Sequence, residues 1–265
     1  MTRVLHISDT HFGTEVPVVV RALLALAAEQ KPDVVLLGGD ITQRARRGQF
    51  SAARSFIEAL QLPVLVVPGN HDIPMYNVLA RLLDPYGNYR RALGPVLEPV
   101  YEDDRLLAIG VNSTRPKYRV DGEVSPAQVQ RVAQRLRAGR PGQLKIVMLH
   151  HPVRAIEPTD VSNLVGGREL AVPAWVDAGV DLVLGGHIHL PYVVPLHGSE
   201  GEAGRRAWAV QAGTAVSYRV RGNVPNSVNL ICHEMADGAS HCELERWDFQ
   251  VRQGAFTRIH STPLW

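Results

Sequence analysis

The sequence predicts an α/β fold for roughly the first two thirds of the chain, followed by antiparallel β structure. Three observations carry that expectation. Short apolar runs alternate with segments of helical periodicity as far as about residue 185, the pattern of βαβ units with parallel strands. Five of those runs end in Asp, Asn or His, twice through a Gly-Gly pair. Ligands bind beyond the carboxyl ends of the strands in open α/β sheets, so the repeated polar endings predict one site there. Beyond His189 the alternation of strand and helix stops, and β-type runs follow one another through Gly- and Pro-rich loops.

In chain order, residues 3–8 form the first strand and lead into Asp9-Thr10-His11. Val18 to Gln30 has helical periodicity, with Pro17 at its start and Lys31-Pro32 ending it. The second strand, 34–38, runs into Gly39-Asp40, and a helix covers about Gly48 to Leu60. The third strand, Val64 to Val67, meets Pro68-Gly69-Asn70-His71-Asp72. Residues 73–103 hold a short helix near Val78–Leu83 and form either a cap beside the site or a surface excursion. A strand at 106–111 ends in Asn112-Ser113. Ser125-Pro126-Ala127-Gln128 is a capping box that opens a helix to about Ala138. Strands ending at His150-His151 and at Gly185-Gly186-His187-Ile188-His189 flank a helix near Leu170–Ala178. Strands are expected at 208–212, 227–233 and 241–248, a mobile turn at Glu200–Arg206, and a tight hairpin at Asp237-Gly238. With a two-residue turn that hairpin pairs Cys242 with His233, and a one-residue change of register would set Cys242 opposite Cys232; the two cysteines read as reduced thiols. No linker is long enough to separate two domains, which predicts a single domain over 1–265, with a cap at 73–103 and a β-rich part from about 190.

Composition narrows the function. The 265 residues suffice for a substantial core, and 45% hydrophobic with 20% charged content is ordinary for a soluble globular protein. A net charge of +2 argues against a dedicated nucleic-acid binder. The first strand starts at about Arg3, which leaves no room for a signal peptide, and no apolar run approaches bilayer length. The expected location is cytoplasmic.

The strand ends carry chemistry of one kind. Asp9 and His11 are two apart, so an extended segment would present both on one face; His187 and His189 repeat the spacing. Carboxylate, amide and imidazole donors together suit borderline divalent metals. Asp9, His11, Asp40, Asn70, His150, His187 and His189 are too many for one ion. Two ions roughly 3.5–4 Å apart need a bridging group, and such a pair can deprotonate a water and neutralise phosphoryl oxygens. His150 is read as a ligand and His151 is not, because neighbours along a strand face opposite ways.

The ordered set Asp9-x-His11, Gly39-Asp40, Gly69-Asn70-His71-Asp72, His150 and Gly186-His187-x-His189 resembles the motifs of the calcineurin-like metallophosphoesterases. Weaker cues at Phe12, His150-His151-Pro152, Gly213-Thr214 and Pro225-Asn226-Ser227 are similar to those of class III cyclic-nucleotide phosphodiesterases, with which glycerophosphodiesterases are grouped. The resemblance implies a four-layer α/β/β/α sandwich of two mixed sheets. It implies two metal ions, with Mn, Fe or Zn expected. Asp9, His11, Asp40 and His189 would hold one, and Asp40, Asn70, His150 and His187 the other. His71 would face the scissile phosphate, oriented by Asp72. The expected activity is hydrolysis of a small phosphodiester, either a 3′,5′-cyclic nucleotide or a glycerophosphodiester, by a homodimer. A phosphomonoesterase, a nuclease and a non-catalytic scaffold are the alternatives. Arg90, Arg115, Arg219 and Arg221 bear on the choice: a monoester carries more negative charge, so a diester is favoured if all four are remote from the site.

Overall fold

The computed structural model describes residues 1–236 and 238–265. Its elements in order are β1 (Thr2–Ile7), α1 (Pro17–Gln30), β2 (Val34–Leu37), α2 (Arg47–Leu60), β3 (Val64–Val66), α3 (Val78–Leu83), α4 (Gly87–Leu93), β4 (Val100–Glu102), β5 (Leu106–Gly110), α5 (Pro126–Arg137), β6 (Leu144–Met148), α6 (Arg168–Asp177), β7 (Leu182–Gly185), β8 (Tyr192–Gly198), β9 (Gly201–Gln211), β10 (Ser227–Ala236), β11 (Ala239–Gln250) and β12 (Ala255–Pro263). One six-stranded sheet has the order β12-β11-β10-β1-β2-β3, the other β4-β5-β6-β7-β9-β8. Both are mixed. β1, β2 and β3 pair in parallel and β10 joins β1 antiparallel. In the second sheet β5, β6, β7 and β9 are parallel, with antiparallel β4 and β8 at the edges.

Period-two alternation sorts the strand residues into three layers of core. Leu5, Ile7, Val35 and Leu37 pack outward under α1 and α2. Leu107, Ile109, Val147 and Val183 pack outward under α5 and α6. Val4, Leu36, Ala108, Ile146, Met148 and Leu184 meet between the sheets. This is the four-layer α/β/β/α sandwich. The strands read as unbroken apolar runs because both their faces are buried.

Local signals hold where they were specific. Pro17 sits in the first turn of α1, and Ser125 Oγ accepts from Gln128 N at the start of α5. His233 pairs with Cys242 across β10 and β11, as the short turn requires; Asp237, half of the expected turn dipeptide, lies outside the described residues. One expectation fails. Glu200–Arg206 is not a mobile turn: β9 begins at Gly201 and pairs with β8, so charged residues there lie on an edge hairpin. The short helix expected near Val78–Leu83 is α3, which buries none of its side chains, and a second helix, α4, follows it. Tyr76, Val78, Leu79, Leu82 and Leu83 are all exposed there. Arg81 nevertheless ties α3 down by donating to the carbonyls of Pro74, Pro116 and Tyr118.

Candidate metal centre

The loops after β1, β2, β3, β6 and β7 converge at one end of the sandwich. The seven predicted donors meet there, and Asp9, His11, Asp40, Asn70 and His150 are buried. Asp9 and His11 do not share a face by lying on an extended segment. β1 ends at Ile7, and Asp9 (φ 54°) and His11 (φ 43°) are left-handed. So are Asp40 (φ 46°), His187 (φ 73°) and His189 (φ 56°). This conformation is costly for residues with a Cβ and clusters at functional sites. The left-handed turns redirect each chain sharply as it leaves its strand, which aims successive side chains at a common point. Long-range contacts hold the turns: Asp9 N donates to Gly39 O, His11 N to Asp40 O and His187 N to Asp9 Oδ2. Gly69 is required by close approach, since a Cβ there would lie 2.0 Å from Asp40 N.

Two nests of donor atoms result. Around Asp9 Oδ1, His189 Nε2 lies at 3.2 Å and His11 Nε2 at 3.7 Å, and the two imidazole nitrogens are 3.1 Å apart. Around Asn70 Oδ1, His150 Nε2 lies at 3.2 Å and His187 Nδ1 at 3.1 Å. Asp40 faces both nests. Its Oδ1 is 3.3 Å from His150 Nε2 and its Oδ2 is 3.7 Å from His11 Nε2. Donors that share one ion at about 2.0–2.2 Å sit about 3–3.5 Å apart, so both nests have the right size for a metal. Asp9 Oδ1 is buried without a hydrogen bond, as a waiting ligand atom would be.

The electrostatics agree. Burial alone would raise both carboxyls, but His189 beside Asp9 holds it below the usual carboxylate range. His150, then His71, hold Asp40 well below it. Burial would lower His150, yet the Asp40 charge outweighs it and carries the imidazole up to about 9. His189 is raised in the same way by Asp9. Burial pushes His11 to about 3 and His187 to about 4, so both are neutral. Both carboxylates thus hold positive charge close to them, at positions where a cation would serve the same charge balance.

Supporting contacts fix the rings. His150 Nδ1 donates to Gly38 O (2.8 Å) and His189 Nδ1 to Arg219 O (2.6 Å). His151 is turned away from both nests; its nitrogens meet Ser113 Oγ and Val120 O, each at 2.8 Å. Asp72 does not orient His71, which corrects the sequence expectation. Its carboxylate accepts from the N–H groups of Gly69, Ile41 and Thr42 and from Thr42 Oγ1, bracing the β2 and β3 loops against each other. Burial and the Asp40 charge push its pKa to about 6 against those donors. The His71 ring is set instead by Gln43 O, which accepts from Nδ1 at 2.8 Å. That leaves the lone pair on Nε2, which faces the cavity.

The cavity over the centre measures about 590 Å³. Of the 73–103 segment only Met75 lines it; Val120, Asp160, Asn163 and the Tyr218–Arg221 stretch supply most of the outer wall. Arg219 and Arg221, whose distance from the site the sequence leaves open, thus line the cavity, and no local signal places them there. Arg115 and Arg90 do not line it: Arg115 is held by Gln128 and the Asn112 carbonyl, and Arg90 by Asp84.

Two mixed sheets with paired carboxylate-histidine nests at their strand ends define a metal-dependent phosphoesterase architecture. The chain belongs to the calcineurin-like phosphoesterase family, which it matches over residues 2–191. It is 32% identical over 168 residues to a probable cyclic nucleotide phosphodiesterase of Synechococcus sp., covering 62% of this chain and 61% of that protein. It is 31% identical over 141 residues to a probable glycerophosphodiester phosphodiesterase of Arcobacter nitrofigilis, covering 52% and 50%. These matches span one half to three fifths of those relatives. A dimetal phosphatase from Danio rerio shares the fold, with a TM-score of 0.67, 13% identity and 99% and 98% of the two chains covered.

Proposed function

We propose that the protein is a binuclear metal-dependent phosphodiesterase acting on small diesters, with cyclic nucleotides and glycerophosphodiesters as the candidate substrates. The observation that carries the binuclear part is Asp40, whose two oxygens address separate donor nests. Asp9, His11, Asp40 and His189 would hold one ion, and Asp40, Asn70, His150 and His187 the other. Metal ions in these nests would acidify a water and neutralise charge on the phosphoryl oxygens. Asp72 keeps the β2 and β3 loops in register so that Asp40 and Asn70 meet. His71, with Nδ1–H committed to Gln43 O, works through Nε2; once that nitrogen takes up a proton, the imidazolium would donate it to the leaving oxygen or stabilise charge there. Met75, Val120 and Tyr218 offer an apolar wall to the ester group that does not react.

The names of two relatives support a diester. Arg219 and Arg221 line the cavity, so the arginines do not favour a diester by being remote. A phosphomonoesterase is therefore the second reading, and Arg219 is what favours it. The test is a turnover panel on Mn²⁺-loaded protein: bis(p-nitrophenyl) phosphate, p-nitrophenyl phosphate, cyclic nucleotides, glycerophosphodiesters and single-stranded DNA. We expect the diesters to lead in kcat/KM. A clear lead for p-nitrophenyl phosphate would defeat the diester reading and leave the metal centre intact. The homodimer remains a proposal supported by the exposed apolar strip on α3, and light scattering tests it. Among the described residues no helix is long and apolar enough to cross a membrane.

A further inference from the structure

We infer that Arg219 is a specificity-determining residue, a built-in clamp for a non-bridging phosphoryl oxygen that decides how well the site accepts a doubly charged phosphoryl group. The inference rests on the phosphoesterase reading above.

Arg219 Nη1 lies 3.3 Å from His71 Nε2 and donates to Gln43 Oε1 at 3.0 Å. His71 Nδ1–H is used by Gln43 O, so Nε2 is the acceptor and the guanidinium is the donor. The cation thus sits beside the one ring nitrogen that faces the substrate. Among the described residues Arg219 has no carboxylate at ion-pair distance, and neither Nε nor Nη2 has a hydrogen-bond partner. Arg221, the other cavity arginine, is neutralised: Nη1 meets both oxygens of Asp160, at 2.9 and 2.8 Å, and Ile188 O. Arg219 is therefore the cavity's uncompensated guanidinium, with two donor groups left over, and a planar fork of that kind suits a phosphate.

Its placement is built rather than incidental. Arg219 N donates to Ser217 Oγ (2.9 Å), and Arg219 O accepts from Thr214 Oγ1 (2.9 Å) and from His189 Nδ1 (2.6 Å). Asn226 Nδ2 crosses the loop to Thr214 O and Ser217 O, and Ser227 N also reaches Thr214 O. Gly213 allows that crossing, since a Cβ would come within 2.2 Å of Ser227 Oγ. The Gly213-Thr214 and Pro225-Asn226-Ser227 cues have no donor in the metal nests. Their work is to fix the 213–219 loop, which orients His189 through its backbone and presents Arg219 through its side chain. On substrate binding the guanidinium can pass an N–H from His71 Nε2 to a phosphoryl oxygen, freeing the ring nitrogen.

The experiment compares wild type, Arg219→Gln and Arg219→Lys, all Mn²⁺-loaded, with metal content measured. Inorganic phosphate binding is followed by calorimetry, and kcat and KM are measured for matched aryl monoester and diester. Metal content should not change, because the carbonyl and not the guanidinium holds His189. Arg219→Gln should weaken phosphate binding about 10- to 100-fold, the worth of a charge-assisted hydrogen bond. It should raise KM for the monoester more than for the diester, and Arg219→Lys should recover part of both losses. Phosphate binding within twofold of wild type in Arg219→Gln overturns the inference, as does an equal loss on both esters with phosphate affinity kept, which would make Arg219 a support for His71 alone. Should wild type turn over no ester, the phosphoesterase reading fails while the phosphate titration still decides the role of Arg219.

Discussion

Metal uptake by this site should expel a proton, and His150 sets the size of the effect. A ligating imidazole must be neutral. In the metal-free protein the Asp40 carboxylate, 3.3 Å away, carries His150 to about 9 despite complete burial. At pH 7 the ring is therefore protonated, and the ion must displace that proton. Apparent affinity should rise about tenfold per pH unit well below the His150 pKa, or about 50-fold between pH 7 and pH 9. Asp9 raises His189 in the other nest in the same direction. The same shift fixes the sign for stability. A histidine whose folded pKa lies above its unfolded value stabilises the metal-free fold fully below pH 6.5, and that contribution fades as pH rises through about 9. Its size is on the order of 3 kcal/mol. The metal-free protein should thus lose stability over the pH range in which its metal affinity grows. Mn²⁺ titration by calorimetry at pH 7, in buffers of different ionisation enthalpy, measures the protons released; melting of the metal-free protein at pH 6.5 and 9 measures the second effect. A binding heat independent of buffer, together with an affinity flat from pH 7 to 9, would refute the charge balance described for the site.

Three further outcomes are expected. His150→Ala should lose the ion of its nest, whereas His151→Ala should keep both, because His151 spends its nitrogens on Ser113 and Val120; elemental analysis reads this. His71→Ala should retain metal and lower kcat roughly 10²–10⁴-fold, with a smaller loss for better leaving groups; an equal loss across leaving groups would assign His71 to charge stabilisation. Asp72→Ala should act on folding first, since it strips the N–H groups of Gly69, Ile41 and Thr42 of their acceptor. At about 1–3 kcal/mol for each buried unsatisfied group, chemical denaturation should report a loss of at least about 3 kcal/mol.

The sequence alone determined which residues meet in the site. Apolar strands ending in Asp, Asn or His place these donors at the carboxyl ends of parallel strands, and that follows from strand direction, whereas the packing of two sheets brings the two sets of ends together. It also determined the α5 cap, which depends on neighbours a few residues apart, and reduced the β10–β11 register to the length of one turn. It misread what depends on distant partners. The left-handed turns at Asp9, His11, Asp40, His187 and His189 exist because loops from several strands brace one another; an isolated Asp-x-His segment has no reason to leave the extended region. Asp72 looked like a partner for its neighbour His71, yet its acceptors are claimed by backbone N–H groups some 30 residues earlier in the chain. Arg219 stands 148 residues from His71, and only the fold brings the second sheet's trailing loop over the first sheet's strand ends. Donor identity is written locally in residue type, whereas the position of a charge over the substrate is a long-range property of two packed sheets.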